Sequence, residues 1–313
     1  MPVVQILLPI VLLLLLGRGI AASGIIDAGG WRGIDRLLYF VLFPALIIEA
    51  VARAEGGSGE ALRLAGCLVA AQAIVTVGGL LLRPVILARL KRSRPAFTSV
   101  MQGVVRWNTM VALALVASVH GPEGVKLVAL SLSVMIPFAN LVSVTVLSID
   151  GDNQSGVDFA AIFSQLLRNP FLISIAVGLI IALSPVKPPE AIGAVLRSLS
   201  LGATAIGLIA VGAGLSVRKA LTLDPLVLAS AALKLVAMPL LAVAIGGAVG
   251  LTPMALGIAV LAASVPTASA SFVLAREMGG DSELMARIIA THTVAAMATL
   301  PLLLMLFGAG LAN

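Results

Sequence analysis

Residues 254–275 read MALGIAVLAASVPTASASFVLA. An uncharged run of this length is enough for a membrane-crossing helix, which takes about 20 residues, yet Ser264-Val265-Pro266-Thr267-Ala268-Ser269-Ala270-Ser271 falls in its middle. Proline removes an amide donor and clashes with the carbonyl four residues earlier, so a break is predicted there. In lipid such a break persists only where neighbouring groups complete the backbone hydrogen bonds, and the hydroxyls can supply some of them. A half-helix that restarts beyond the break offers unpaired N–H groups and the positive end of its dipole, which attract anions.

The rest of the chain places this stretch in a polytopic membrane protein. Of 313 residues, 60% are hydrophobic and 11% charged, with mean hydropathy +1.15, whereas a soluble domain has about 45–50% apolar and about 25% charged residues. The single cysteine, Cys67, excludes an intrachain disulfide framework or a Cys-rich metal site. Only 4% of residues are aromatic, so the pI near 10.2 reflects orientation in a membrane rather than nucleic-acid binding. The apolar run 3–16 lacks a basic flank and is soon followed by another, so it is expected to be a first span and not a cleaved signal.

Apolar runs with charged or Gly/Pro punctuation predict helices over 3–22, 34–52, 61–83, 97–119 and 125–148, then 167–184, 191–216, 225–249, 254–275 and 283–307. The polar stretch 150–160 divides five from five, so 1–149 and 161–313 are expected to be two repeats of inverted topology joined by a cytoplasmic linker. Loops on the linker's side hold thirteen Lys and Arg, against five on the other: Arg53, Arg63, Lys126, Lys187 and Arg197. By the positive-inside rule both termini face outward. The cluster Arg89, Lys91, Arg92 and Arg94 belongs to the richer side and reads as topogenic.

Polar residues within spans are costly and usually line cavities or pair with one another. Glu49, Gln72, Arg106, Asn108, Asn140, Lys234 and His292 stand out. Asn108, in Arg106-Trp107-Asn108-Thr109 at the middle of the fourth run, reads as a cavity-facing hydrogen bonder. Arg106 points about 200° around a helix from Asn108 and can serve an anion or reach the headgroups. Lys234 can neutralise a substrate carboxylate, pair with Glu49, or replace a coupling cation by a fixed charge. His292 and Glu49 are the candidate titrating groups for ion coupling. No nucleotide loop, H-E-x-x-H, Cys-x-x-Cys or G-x-S-x-G pattern occurs, which leaves a secondary transporter, a channel-like uniporter or a receptor, without cofactor or metal.

The motifs resemble those of the auxin efflux carrier family, the bacterial relatives of plant PIN transporters. They are Phe43-Pro44-Ala45-Leu46, Trp107-Asn108-Thr109, Arg168-Asn169-Pro170, Lys234 with Pro239, and Val265-Pro266 followed by Phe272-Val273-Leu274-Ala275-Arg276-Glu277-Met278-Gly279-Gly280-Asp281, with Thr299-Leu300-Pro301 near the end. The resemblance implies ten helices in two inverted five-helix repeats, similar to sodium/proton antiporters and bile acid symporters, with the fourth and ninth broken and crossing at the midplane. It also implies a scaffold of helices 1, 2, 6 and 7, a transport domain of helices 3–5 and 8–10, and organic anion substrates such as auxins or dicarboxylates. The chain departs from the family at Leu113-Ala114-Leu115, where Gly-x-Pro is usual, so a milder or altered crossover is expected in the fourth helix.

The combined expectation is a bacterial inner-membrane transporter that exports or exchanges a small organic anion by alternating access. Asn108, Asn140, Ser264, Pro266, Thr267 and Ser269 would form its site, with Lys234 as the electrostatic partner. Alternatives are a proton- or sodium-coupled organic acid symporter and a non-transporting membrane receptor. By analogy of shape, a homodimer is expected.

Overall fold

The computed structural model describes residues 3–53, 58–89, 91–152, 159–185, 188–214 and 224–307. Residues 153–158 of the expected linker, and Lys187, Arg218 and Lys219 of the loops, lie outside the described residues. Those described form helices α1 (Val3–Ser23), α2 (Ala28–Leu37), α3 (Phe43–Ala52), α4 (Ser58–Pro84), α5 (Arg94–Val105), α6 (Thr109–Asp150) and α7 (Phe159–Leu167). The series continues with α8 (Pro170–Leu183), α9 (Glu190–Ala213), α10 (Pro225–Ala232), α11 (Met238–Ala248), α12 (Pro253–Ser264), α13 (Ala270–Glu277) and α14 (Ser282–Phe307), with no strand among the described residues. Five helical stretches, Gly59–Ala88, Arg94–Asp150, Glu190–Ala213, Pro225–Ala248 and Ser282–Phe307, are long and apolar enough to cross a membrane.

The helix ends follow sequence chemistry. Asn108, Asn169, Asp224 and Thr252 each cap the helix that follows, a side-chain oxygen accepting from a first-turn amide, and proline opens α8, α10 and α12, where its missing N–H costs nothing. Within spans, proline is accommodated differently. The five residues before Phe43-Pro44, Leu38–Leu42, form a π-helical turn in which the Phe43 amide donates to the Leu38 carbonyl. Before Met238-Pro239, Leu233–Ala237 does the same, with Met238 N–H on the Leu233 carbonyl. A wider turn moves carbonyls away from the imino nitrogen that cannot satisfy them.

Arg94–Asp150 spans 57 residues, about 86 Å if straight at 1.5 Å per residue, nearly three times the hydrocarbon thickness of about 30 Å. It is divided twice. Arg106 and Asn108 have extended backbone (ψ 144° and 95°), and Gly121, at φ +58° and ψ −156°, adopts a conformation open to glycine alone. Arg106 Nη1 donates to Asn140 Oδ1 at 3.1 Å, although 34 helical residues would separate them by about 51 Å. The chain therefore folds back at Gly121.

Helix α1 packs on α9, and α3 on both α8 and α9. A second set joins α4 to α6 and α11, α11 to α12, and α14 to α5, α10 and α12. Helix α6 bridges the sets through α3 and α9. Where α1 crosses α9, Gly17 and Gly212 permit backbone contact: a Cβ on either would overlap a main-chain carbonyl of the other helix, that of Ile209 or Leu14. At one end Arg83 makes a bidentate ion pair with Asp150, and Asp281 caps α14 through Leu284 N–H (2.9 Å) while its carbonyl accepts from Ser99 Oγ (2.8 Å). The main core cluster, including Trp107, Val111 to Val116 and Ile258 to Ala263, surrounds the two interrupted spans.

Candidate functional site

Two spans lose their helical hydrogen bonds inside the protein, and each break is completed by its neighbours. The first lies at residues 106–108 between α5 and α6, the second at 265–269 between α12 and α13. They meet directly: Asn108 N–H donates to the Pro266 carbonyl at 2.8 Å. At the carboxyl end of α5, Val105 C=O accepts from Gln72 Nε2 at 2.8 Å, and Gln102 C=O accepts from both Arg106 N–H (2.9 Å) and Thr267 Oγ1 (3.4 Å). Gln72, which reads as an isolated polar residue in the sequence, thus closes the backbone of a neighbouring span.

With Leu113-Ala114-Leu115 in the fourth span, the break is made without a proline. The interruption precedes Asn108 and is set by that residue's capping, its Oδ1 accepting from Val111 N–H at 3.2 Å. Leu115 sits seven residues into continuous helix, 3% exposed, and lines with Pro266 a small apolar cavity of about 90 Å³.

Beside the crossing lies a cavity of about 160 Å³ with both polar and apolar walls. Three helix starts line it: Asn108, Thr109 and Met110 of α6, Asn169 and Phe171 of α8, and Ser269 and Ala270 of α13. First-turn amides lack intrahelical acceptors and the dipoles place partial positive charge there. Arg106 adds a full positive charge, held by Asn140, and no Asp or Glu is among the described residues that line the cavity. No carboxylate lies within ion-pair distance of Arg106 among the described residues. Tyr39 completes the wall, its ring edge-to-face with Phe171 (centroids 5.0 Å apart), which in turn meets Phe43 edge-on at 6.3 Å. Helix starts, guanidinium and amides make a cavity suited to an anion, bounded on one side by aromatic rings.

The expected site residues divide. Asn108, Asn140 and Ser269 line this cavity, and Pro266 stands at the crossing. Ser264 Oγ instead returns to the Val260 carbonyl of its own helix (2.6 Å), and Thr267 serves the carbonyl of Gln102. Lys234, 1% exposed, lies in the π-helical turn before α11 and does not line the cavity. His292 on α14 is fully buried within electrostatic reach of Lys234, and neither ring nitrogen has a hydrogen-bond partner among the described residues. Glu49 pairs with Arg53 at 3.0 Å, not with Lys234, because both stand one turn apart on the same helix end. There Glu49, Arg53 and Arg197 line a separate cavity of about 270 Å³.

Sequence reading left Arg106 between two roles and passed over Tyr39 and Asn169. The Asn-Pro pair of Arg168-Asn169-Pro170 marks a helix start, and Tyr39 is the one tyrosine in the chain. What neither signal carries is that three helix starts and one tyrosine from distant segments converge.

Comparison with curated proteins gives no significant match. The model of the family described as "Membrane transport protein" matches residues 2–304, nearly the whole chain. Apolar spans, interrupted crossing helices and a match of that extent agree, and the chain belongs to this family of membrane transporters, that of the auxin efflux carriers.

Proposed function

We propose that the protein is a secondary transporter that exports or exchanges a small organic anion by alternating access, with the cavity at the crossing as its substrate site. The observation that carries this reading is the convergence of three helix N-termini and the Arg106 guanidinium on a cavity whose lining includes no carboxylate. In this reading the substrate carboxylate meets the positive ends of α6 and α13 where Thr109, Met110 and Ala270 line the cavity, and the charge of Arg106, with Asn108, Asn140, Asn169 and Ser269 as hydrogen bonders. Arg106 holds the electrostatic role that the sequence suggests for Lys234.

The ten-span arrangement of two inverted repeats is part of the proposal. It is supported by the packing, in which the pairing of the first span with the seventh (α1 and α9) is matched by that of the sixth with the second (α8 and α3). The two sets of helices then act as scaffold and transport domain, and the cavity lies between them, with Tyr39, Asn169 and Phe171 on the scaffold side. Motion of one set against the other would carry the anion past the crossing.

The test is flux of labelled mono- and dicarboxylates in proteoliposomes, with imposed proton and sodium gradients to separate uniport or exchange from coupling at His292 or Glu49. Ligand binding without flux in a correctly inserted, folded protein would replace transport by a receptor role. Absence of any carboxylate-induced thermal shift would remove the site.

A further inference from the structure

On the flank of the second set of helices, α4, the turn that follows it, α5 and α10 enclose a cavity of about 220 Å³ with almost wholly apolar walls, among them Gly79, Leu82, Ile86, Val104 and Leu226. It opens sideways. Leu82 and Val85 are 49% and 42% exposed, and Pro225 and Ala229 across the slot are exposed as well. Water gains nothing in a space without polar partners, and an empty slot forfeits dispersion contacts along every wall. A hydrocarbon chain entering from the bilayer meets neither cost.

One end of the slot is basic. The Arg92 amide donates to the carbonyl of Ile86 in the wall (3.4 Å), and the Arg92 guanidinium reaches Asp224, the residue before Pro225, at 3.2 Å. This ties the segment 91–94 across the mouth. Arg287 approaches the same carboxylate at 3.7 Å, while Lys91 (φ +47°) and Arg94 are exposed and have no acidic partner among the described residues. Among the described residues Asp224 is the one carboxylate in ion-pair contact with any of Lys91, Arg92, Arg94 and Arg287, and it is also engaged in capping α10 through Leu226 N–H. An apolar slot leading to surplus cations has the polarity of a lipid: a chain inward, a negative headgroup at the rim.

We propose that this slot is a specific site for an anionic phospholipid, one acyl chain lying between α4 and α10 and its phosphate held by Lys91 and Arg94 beside Arg92. The lipid braces segments far apart in sequence, 75–104 and 225–233, so that α4 and α10 move as one piece. The site is separate from the cavity at the crossing, and its test reads bound lipid rather than flux.

The experiment is native mass spectrometry of the purified protein after exchange into phosphatidylglycerol or phosphatidylcholine, paired with melting temperatures. The wild type is expected to retain about one phosphatidylglycerol in preference to phosphatidylcholine and to melt higher with it. The double variant Lys91→Gln, Arg94→Gln should bind it roughly thirtyfold more weakly, each of the two cations near a headgroup contributing about 1 kcal/mol. Ala229→Phe, which fills the slot and leaves every charge in place, should lose the retained lipid, and Leu82→Trp at the opposite lip gives the same reading if Ala229→Phe fails to fold. Phosphatidylglycerol retention unchanged in the slot-filling variants would reduce the site to surface charge and overturn the proposal. Equal retention of phosphatidylcholine, or displacement by inorganic phosphate alone, would overturn it too.

Discussion

Arg106 is the residue on which the site turns. A guanidinium stays charged in proteins, and here Asn140 orients it into a cavity whose other positive groups are helix ends. Arg106→Gln is expected to weaken carboxylate binding by about ten- to a hundredfold, the equivalent of a charge-assisted hydrogen bond of about 1.5–3 kcal/mol, measured by titration calorimetry or ligand-induced thermal shift. Arg106→Lys should recover only part, since an ammonium lacks the planar fork that matches a carboxylate. Lys234 gives the contrasting case. It is buried away from the cavity without a carboxylate within ion-pair distance among the described residues, and a buried ion replaced by a well-packed apolar residue is often neutral or stabilising. Lys234→Met should therefore keep carboxylate affinity within about threefold of wild type. A hundredfold loss in that variant with Arg106→Gln unaffected would return the charge role to Lys234.

At the scale of elements, the site depends on breaks that neighbouring helices complete. Gln72 of α4 satisfies the last carbonyl of α5, so Gln72→Leu leaves a buried acceptor unpaired and should destabilise the protein by about 1–3 kcal/mol, read as a lowered melting temperature. Asn108 has two duties, capping α6 with its side chain and joining the breaks with its amide. Asn108→Ala removes the first and keeps the second. A stability loss of about 1 kcal/mol is expected from the cap, together with weakened anion binding from the lost amide in the cavity. Both breaks and both intramembrane π-helical turns sit beside polar or imino residues that the sequence displays openly: Asn108, Pro266, Pro44 and Pro239. The position of the first break is different in kind. With Leu115 in place of a proline it rests on Asn108 and on Gln72 from another helix, a partnership that no reading of residues 97–119 alone can contain.

Across the whole molecule, the cavity lies where the two sets of helices face each other, Tyr39 on one and Ala268 on the other. With Cys67 replaced by alanine, Tyr39→Cys and Ala268→Cys joined by a short bifunctional crosslinker should stop flux, and cleaving the linker should restore it; flux undiminished by a complete crosslink would remove relative motion of the two sets from the mechanism. The apolar runs, the proline-containing break in residues 254–275 and the family motifs are local properties, because helix length, backbone hydrogen bonding in lipid and capping are decided by residues within a few turns of one another. From these the sequence by itself determined an all-helical membrane transporter with an interrupted span and Asn108 as a key residue. Only the tertiary structure decided that Arg106 rather than Lys234 faces the cavity, that Tyr39 and Asn169 join it, and that Ser264 and Thr267 serve backbone carbonyls instead. Those outcomes depend on the direction each side chain takes after Gly121 folds the chain back and the two breaks meet, and convergence of segments more than a hundred residues apart is set by packing between helices, for which the spacing within any one of them carries no record.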